Sequence, residues 1–201
     1  MTDGQVRDAY AARATEYTRA LGSLEEMHDL DRRRIQRWAE DIPGRVLDGG
    51  CGPGHWAAFL HEQGVDVEGV DLVPAFIKSA RTRFPDVPFR VGALDRLDVP
   101  DRSLHGVLAW YSLIHVPPEE LPATLSAIAR ALVPRGRVLI GFFESATAEP
   151  FPHAITTAYY WPIEQIRHLL NQAGFTVLDI ESRRDPGQRP HASISAAAHC
   201  Q

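Results

Sequence analysis

The chain reads as an α/β fold, a doubly wound and mostly parallel seven-stranded sheet with helices on both faces, and three observations predict it. First, seven short apolar runs, at 46–48, 65–71, 89–91, 104–110, 138–143, 175–180 and 192–198, alternate for most of the chain with segments of helical period. Second, the first two runs each end on an acid, Asp48 and Asp71, and the first leads directly into a glycine-rich turn and a helix start. Ligands of such sheets bind outside the carboxyl ends of the strands, and right-handed crossovers would set Asp48, Asp71, Leu94 and His115 along that one edge. Third, only the turn Asp185-Pro186-Gly187 and its short flanks join the last two runs. That is too short for a parallel crossover, so the last strand should run antiparallel.

Composition bounds the rest. With 201 residues, 44% hydrophobic and 23% charged, the chain is expected to form one domain over 1–201 with a substantial core. A net charge of −5 argues against a phosphate-binding face, so small molecules rather than nucleic acid are the expected partners. Cys51 and Cys200 make neither a disulfide framework nor a metal-ligand spacing, and no metal is expected. No apolar run approaches ~18 residues and the start lacks a signal-peptide pattern, so the expectation is a cytoplasmic protein without a membrane span.

In order, residues 5 to 21 read as one amphipathic helix with Val6, Tyr10, Ala14, Tyr17 and Leu21 on a single face. A second, 29 to 40, should turn Leu30, Ile35 and Trp38 inward and leave Arg32, Arg33, Arg34 and Arg37 in solvent. Gly49, Gly50, Gly52 and Gly54 then let the backbone take positive φ and lie against a ligand. A dinucleotide fingerprint read from Gly50 and Gly52 needs a third glycine at 55, where His55 stands. Asp71 follows Gly54 by 17 residues, where a carboxylate can accept both hydroxyls of a ribose.

Pro74 to Phe84 is a helix with Phe76, Ile77 and Ala80 inward. Leu104 to Trp110 is a buried parallel-type strand, and Pro117 should open a helix to Leu132 with Glu119 and Glu120 in its first turn. Residues 144 to 161 have no clear period and read as a long loop. Its Phe151, His153, Tyr159, Tyr160 and Trp161 either enclose an organic substrate or pack only to hold the loop. Pro162 opens a last helix that ends at Gly174.

The run Asp48-Gly49-Gly50-Cys51-Gly52-Pro53-Gly54 resembles motif I of the class I S-adenosylmethionine-dependent methyltransferases, in their small-molecule, type 11-like form. The passage Leu132-Val133-Pro134-Arg135-Gly136 and the closing hairpin resemble the family too, over residues 30 to 200. The resemblance implies a Rossmann-like fold, S-adenosylmethionine as methyl donor and S-adenosylhomocysteine as product. It implies cofactor contacts from Tyr17, Asp48, Gly49, Gly50, Cys51, Gly52, Gly54, His55, Trp56, Asp71, Leu72, Ala93, Leu94, Trp110 and Tyr111. Two positions depart from it: Ala93 stands where an acid often meets the adenine, and Leu104-His105 where Phe-Asp is common.

Residues 1–40, with their Tyr-x-x-x-Ala-x-x-Tyr pattern, either cap the sheet or form a lid, with 144–161 as a second lid. Tyr10, His115, His153 and Tyr159 would face the acceptor. His115 or His153 could act as a base, and His115 reads equally well as structural. Ser112 to Pro117 stands where nucleic-acid and protein methyltransferases carry Asn/Asp-Pro-Pro-Tyr/Phe, so the expected partner is a small organic molecule, with the chain a monomer or homodimer. A non-catalytic S-adenosylmethionine-binding module and a nicotinamide oxidoreductase are the alternatives.

Overall fold

The computed structural model describes residues 3–200, except the side chains of Asp3 and Leu21, so the expected apolar role of Leu21 lies outside it. Two helices, α1 (Asp3–Ala12) and α2 (Ala14–Leu21), precede α3 (Asp29–Ala39). Then come β1 (Val46–Gly49), α4 (His55–Glu62), β2 (Val67–Asp71), α5 (Pro74–Arg83) and β3 (Phe89–Val91). The second half holds β4 (Leu104–Trp110), α6 (Leu121–Ala131), β5 (Leu132–Glu144), β6 (Glu149–Pro152) and β7 (Thr157–Trp161). It closes with α7 (Ile163–Gln172), β8 (Phe175–Arg183) and β9 (His191–Ala198). None of the described helices is long and apolar enough to cross a membrane.

The sheet runs β3-β2-β1-β4-β5 with parallel neighbours, and β5 then carries β9 antiparallel on its far edge, with β8 antiparallel beyond β9. Strands buried on both faces explain the continuous apolar runs. Val46, Leu108 and Leu139 face one cluster with Ile35, Trp38, Trp56 and Ile77, while Leu47, Val107 and Ile140 face another with Leu121, Leu125 and Ile166. The expected antiparallel last strand is thus present. The expected seven strands become nine, because 144–161 is not a loop.

That segment folds back as the β6–β7 hairpin. The β4 ladder stops at the pair Trp110 and Gly141, and β7 takes over the freed edge of β5 by pairing Tyr160 with Phe143 and Trp161 with Glu144. Cross-strand aromatics hold it, with the Phe151 and Tyr160 rings 4.2 Å apart and Trp161 only 1% exposed. Two short strands made by such pairs give no period to read along the sequence.

Three more expectations change. The leading helix breaks at Arg13 (φ −119°, ψ 13°), whose guanidinium bonds Glu16 and the Ala154 carbonyl, and the break brings Tyr10 and Tyr17 edge to face at 5.4 Å. In α3, Arg34 is buried, not solvated, because Asp179 and Glu181 of β8 and the Ser193 hydroxyl meet it, while Leu30 is 48% exposed. The helix expected from Pro117 starts at Leu121, after a turn in which Glu120 N–H donates to the Pro117 carbonyl. Glu119 and Glu120 therefore lie ahead of the helix, and Pro122 takes the first-turn position suited to proline.

Candidate functional site

The carboxyl ends of β1, β2, β3 and β4 open together into a cleft of about 700 Å³. Its floor begins in the turn after β1. Gly50 and Cys51 donate their N–H groups to the Val70 carbonyl at 2.7 and 3.0 Å, which closes the turn onto β2. Gly50 has φ +73°, and a Cβ there would lie 2.2 Å from the Ser112 Cβ, so only glycine lets the turn meet the segment after β4. Gly52 has φ +52° with no protein atom within 4 Å of its missing Cβ, and it lines the cleft. Its open side is a cradle for a ligand.

Asp71 closes the next strand, and its two oxygens accept the Gly52 and Val73 N–H groups, each at 2.8 Å. Each oxygen keeps a lone pair toward the cleft, which suits the two hydroxyls of a ribose. Burial raises this carboxyl to about 6, offset in part by those N–H bonds. Asp48 lies deeper, behind the turn and 2% exposed, with Oδ2 unpartnered. Burial and then the charge of Asp71 raise it to about 7, against a contribution from the Ala57 N–H.

Of the expected cofactor contacts, Tyr17, Gly50, Gly52, Asp71, Leu72, Ala93, Leu94, Trp110 and Tyr111 line the cleft. Asp48, Gly49, Cys51, Gly54, His55 and Trp56 stand behind that surface and support it. Gly49 approaches the Leu94 side chain, Gly54 (φ +88°) approaches Ala80 and Phe89, and His55 is buried with neither ring nitrogen bonded, its pKa driven by burial to about 4. The lining acids Asp71, Asp95, Glu119 and Glu120 outnumber the one lining arginine, Arg96. Such a lining favours a cationic ligand over a pyrophosphate.

At the acceptor end, Tyr10 and His115 line the cleft. His115 Nδ1 lies 2.7 Å from the Thr157 carbonyl and Nε2 lies 2.8 Å from Tyr10 Oη. A carbonyl only accepts, so Nδ1 carries the hydrogen and, in the neutral ring, the Nε2 lone pair accepts the Tyr10 hydroxyl. Burial lowers the pKa of His115 and keeps it neutral. His153 packs edge-on to it at 5.3 Å, brought there by the hairpin, and burial takes its pKa to about 4. Tyr159 lies on β7 with its N–H on the Ile114 carbonyl. Neither His153 nor Tyr159 lines the cleft.

Sequence reasoning did not assign Phe76, Glu119 or Glu120 to the site, yet all three line it. Phe76 showed only as an inward helix residue, and the two glutamates were hidden by a helix start placed at Pro117.

The sequence profile of the family described as "Methyltransferase domain" matches residues 46–136, from β1 into β5. Ubiquinone biosynthesis O-methyltransferase of Xylella fastidiosa is 29% identical over 161 residues, 76% of this chain and 64% of that protein. By these matches the chain is similar to class I S-adenosylmethionine-dependent methyltransferases, and residues 46–136 carry the methyltransferase-domain profile. Two solved structures extend the likeness of fold. One, a 1,6-didemethyltoxoflavin-N1-methyltransferase of Burkholderia thailandensis with bound S-adenosylhomocysteine, superposes with a TM-score of 0.76 at 23% identity, over 98% of this chain and 88% of that one. The other, the cyclase SpnF, reaches a TM-score of 0.83 at 18% identity, over 100% and 97%. For a methyltransferase of this family the cradle at Gly52, the paired acids and the acid-rich cleft are the features that fit S-adenosylmethionine. The chain spans 64% of the length of the Xylella protein it matches, less than two-thirds.

Proposed function

We propose that this chain transfers the sulfonium methyl group of S-adenosylmethionine to an oxygen or nitrogen of a small organic molecule, as a monomer or homodimer in the cytoplasm. The observation that carries the reading is Asp71, fixed by Gly52 and Val73 N–H groups with free lone pairs at the mouth of an open glycine cradle. When bound, the cofactor supplies an already activated methyl group. The chain's own task is then alignment of donor and acceptor and exclusion of water, worth ~7–11 kcal/mol in favourable cases.

Gly50 and Gly52 let the donor approach the backbone, Asp71 holds the ribose, and Leu72 and Leu94 flank the adenine. The N-terminal segment, over its described residues 3–40, acts as a lid of this single domain with Tyr10 and Tyr17 over the cleft, and the hairpin of the 144–161 segment backs the acceptor end through the Thr157 carbonyl bonded to His115. For an acceptor that must lose a proton, His115 Nε2 takes it after Tyr10 gives way, while the Thr157 carbonyl keeps the tautomer. His153 stands behind His115 as its packing partner.

Titration calorimetry with S-adenosylmethionine, S-adenosylhomocysteine and NADH tests the reading. Expected is micromolar binding of the first two, lost in Asp71→Ala. Binding of NADH alone would overturn it. An acceptor screen following methylated product then separates an enzyme from a binding module.

A further inference from the structure

Tyr111, the first residue after β4, holds a left-handed backbone (φ 54°) that a non-glycine residue adopts only under constraint. Its neighbours Trp110 and Ser112 line the cleft, and Ser112 abuts Gly50, so the conformation at 111 sets the wall facing the glycine turn. The backbone contributes one bond, from the Tyr111 N–H to the Gly141 carbonyl at 3.1 Å. The side chain contributes more. Its ring meets Trp110, Phe143 and His191 at 5.5, 5.0 and 5.6 Å, and its hydroxyl is hydrogen-bonded to His191 Nδ1.

His191 opens β9, opposite Phe143 of β5 and Arg183 of β8. Arg183 is anchored in turn by Asp31 of α3 at 2.8 Å and by Asp185 at 2.6 Å. An ion-paired, half-buried frame thus stands beside the imidazole on the paired strand, and the imidazole bonds the phenol. Neither β8, β9 nor α3 lines the cleft, whereas Tyr111, the hydrogen-bond partner of His191, does.

We infer that His191 is a positioning residue: through Tyr111 Oη it holds residues 110–112 in the backbone conformation that completes the cofactor cleft. This rests on the reading of the cleft as an S-adenosylmethionine site. A device of this kind explains why a tyrosine occupies a position that glycine would take without strain. Its hydroxyl and ring tie the wall to the far edge of the sheet.

The test is calorimetric titration with S-adenosylhomocysteine, alongside melting temperatures, for the unaltered chain, Tyr111→Phe, His191→Phe, the double variant and His191→Asn. Loss of one hydrogen bond in either single variant should weaken binding about fivefold. The double variant should be no weaker than the singles, since both remove the same bond. His191→Asn places an amide where Nδ1 stood and should restore affinity to within about twofold.

Unchanged affinity in both single variants, or additive losses in the double, would overturn the inference. So would a fall in melting temperature alone, the mark of mere packing. If His191→Phe does not fold, Tyr111→Phe, which removes a single oxygen, carries the same test. No binding by the unaltered chain would overturn the cofactor reading and this inference with it, whereas binding with unaffected variants overturns the inference alone.

Discussion

Replacing Asp48 by asparagine probes the electrostatic strain behind the glycine turn. In the unfolded chain this carboxyl ionises near 3.8; in the fold, burial and the charge of Asp71 raise it to about 7. For a raised folded pKa, the associated stability is complete below the unfolded value and is lost as pH rises through the folded one. At about 1.36 kcal/mol per unit, the ligand-free chain loses ~2.7 kcal/mol through this group between pH ~5 and pH ~7. Part of that repulsion is shared with Asp71, so ~2 kcal/mol is the expected share of Asp48 alone. Asparagine keeps an oxygen for the Ala57 N–H but sets an NH₂ where Oδ2 has no partner, a loss of ~1–3 kcal/mol that does not vary with pH. The decisive quantity is therefore how the stability difference between the two proteins changes with pH. In urea, with a slope of about 2–3 kcal/mol/M for a chain of this size, the variant's midpoint should gain roughly 1 M on the unaltered protein between pH ~5 and pH ~7, then level off. A difference that stays constant, or moves the other way, would refute the assignment of a strained carboxyl at this site.

Three other expectations follow from the same geometry. Gly52→Ala meets no protein atom, so it should destabilise the fold by only ~1 kcal/mol of backbone strain yet weaken S-adenosylhomocysteine binding at least ~10-fold; Gly50→Ala, pressed on Ser112, should lose both stability and binding, and equal behaviour of the two in melting and titration would disprove the cradle. His115→Ala should leave cofactor affinity unchanged and lower turnover by about 10²–10⁴-fold. The acid limb of the unaltered enzyme's pH–rate profile should lie below the ordinary histidine value of 6.5, because the base works unprotonated and burial lowers its pKa; unchanged turnover in the variant would remove the base role. Trp161→Ala should cost about 3–5 kcal/mol in denaturant midpoint, since that ring is 1% exposed against the main core; a near-neutral result would mean the β6–β7 hairpin is not integral to the sheet.

Much of the fold and half of the site are legible without coordinates, and the reason is locality. Parallel strands buried on both faces must be apolar along a continuous run, so β4 emerges with the expected bounds. The glycine turn and the two strand-end acids are equally local, since a positive φ at Gly50 and Gly52 is a demand on single residues. What the tertiary structure decided depends on partners far along the chain. Arg34 is buried because Asp179, Glu181 and Ser193 come to meet it, and an arginine run by itself looks solvated.

The hairpin at 149–161 exists because β4 ends early and frees an edge of β5, a fact about two strands and not about the segment itself. His115 could be read from its position as base or bystander. The bonds that orient it come from Tyr10, 105 residues before it, and from Thr157, 42 residues after it. Side-chain identity and spacing thus determined the turn, the acids and the sheet. Hydrogen-bond partners brought together across the fold determined which imidazole nitrogen carries the hydrogen and what surrounds Tyr111, because a tautomer and a strained backbone are set by surroundings that no local pattern encodes.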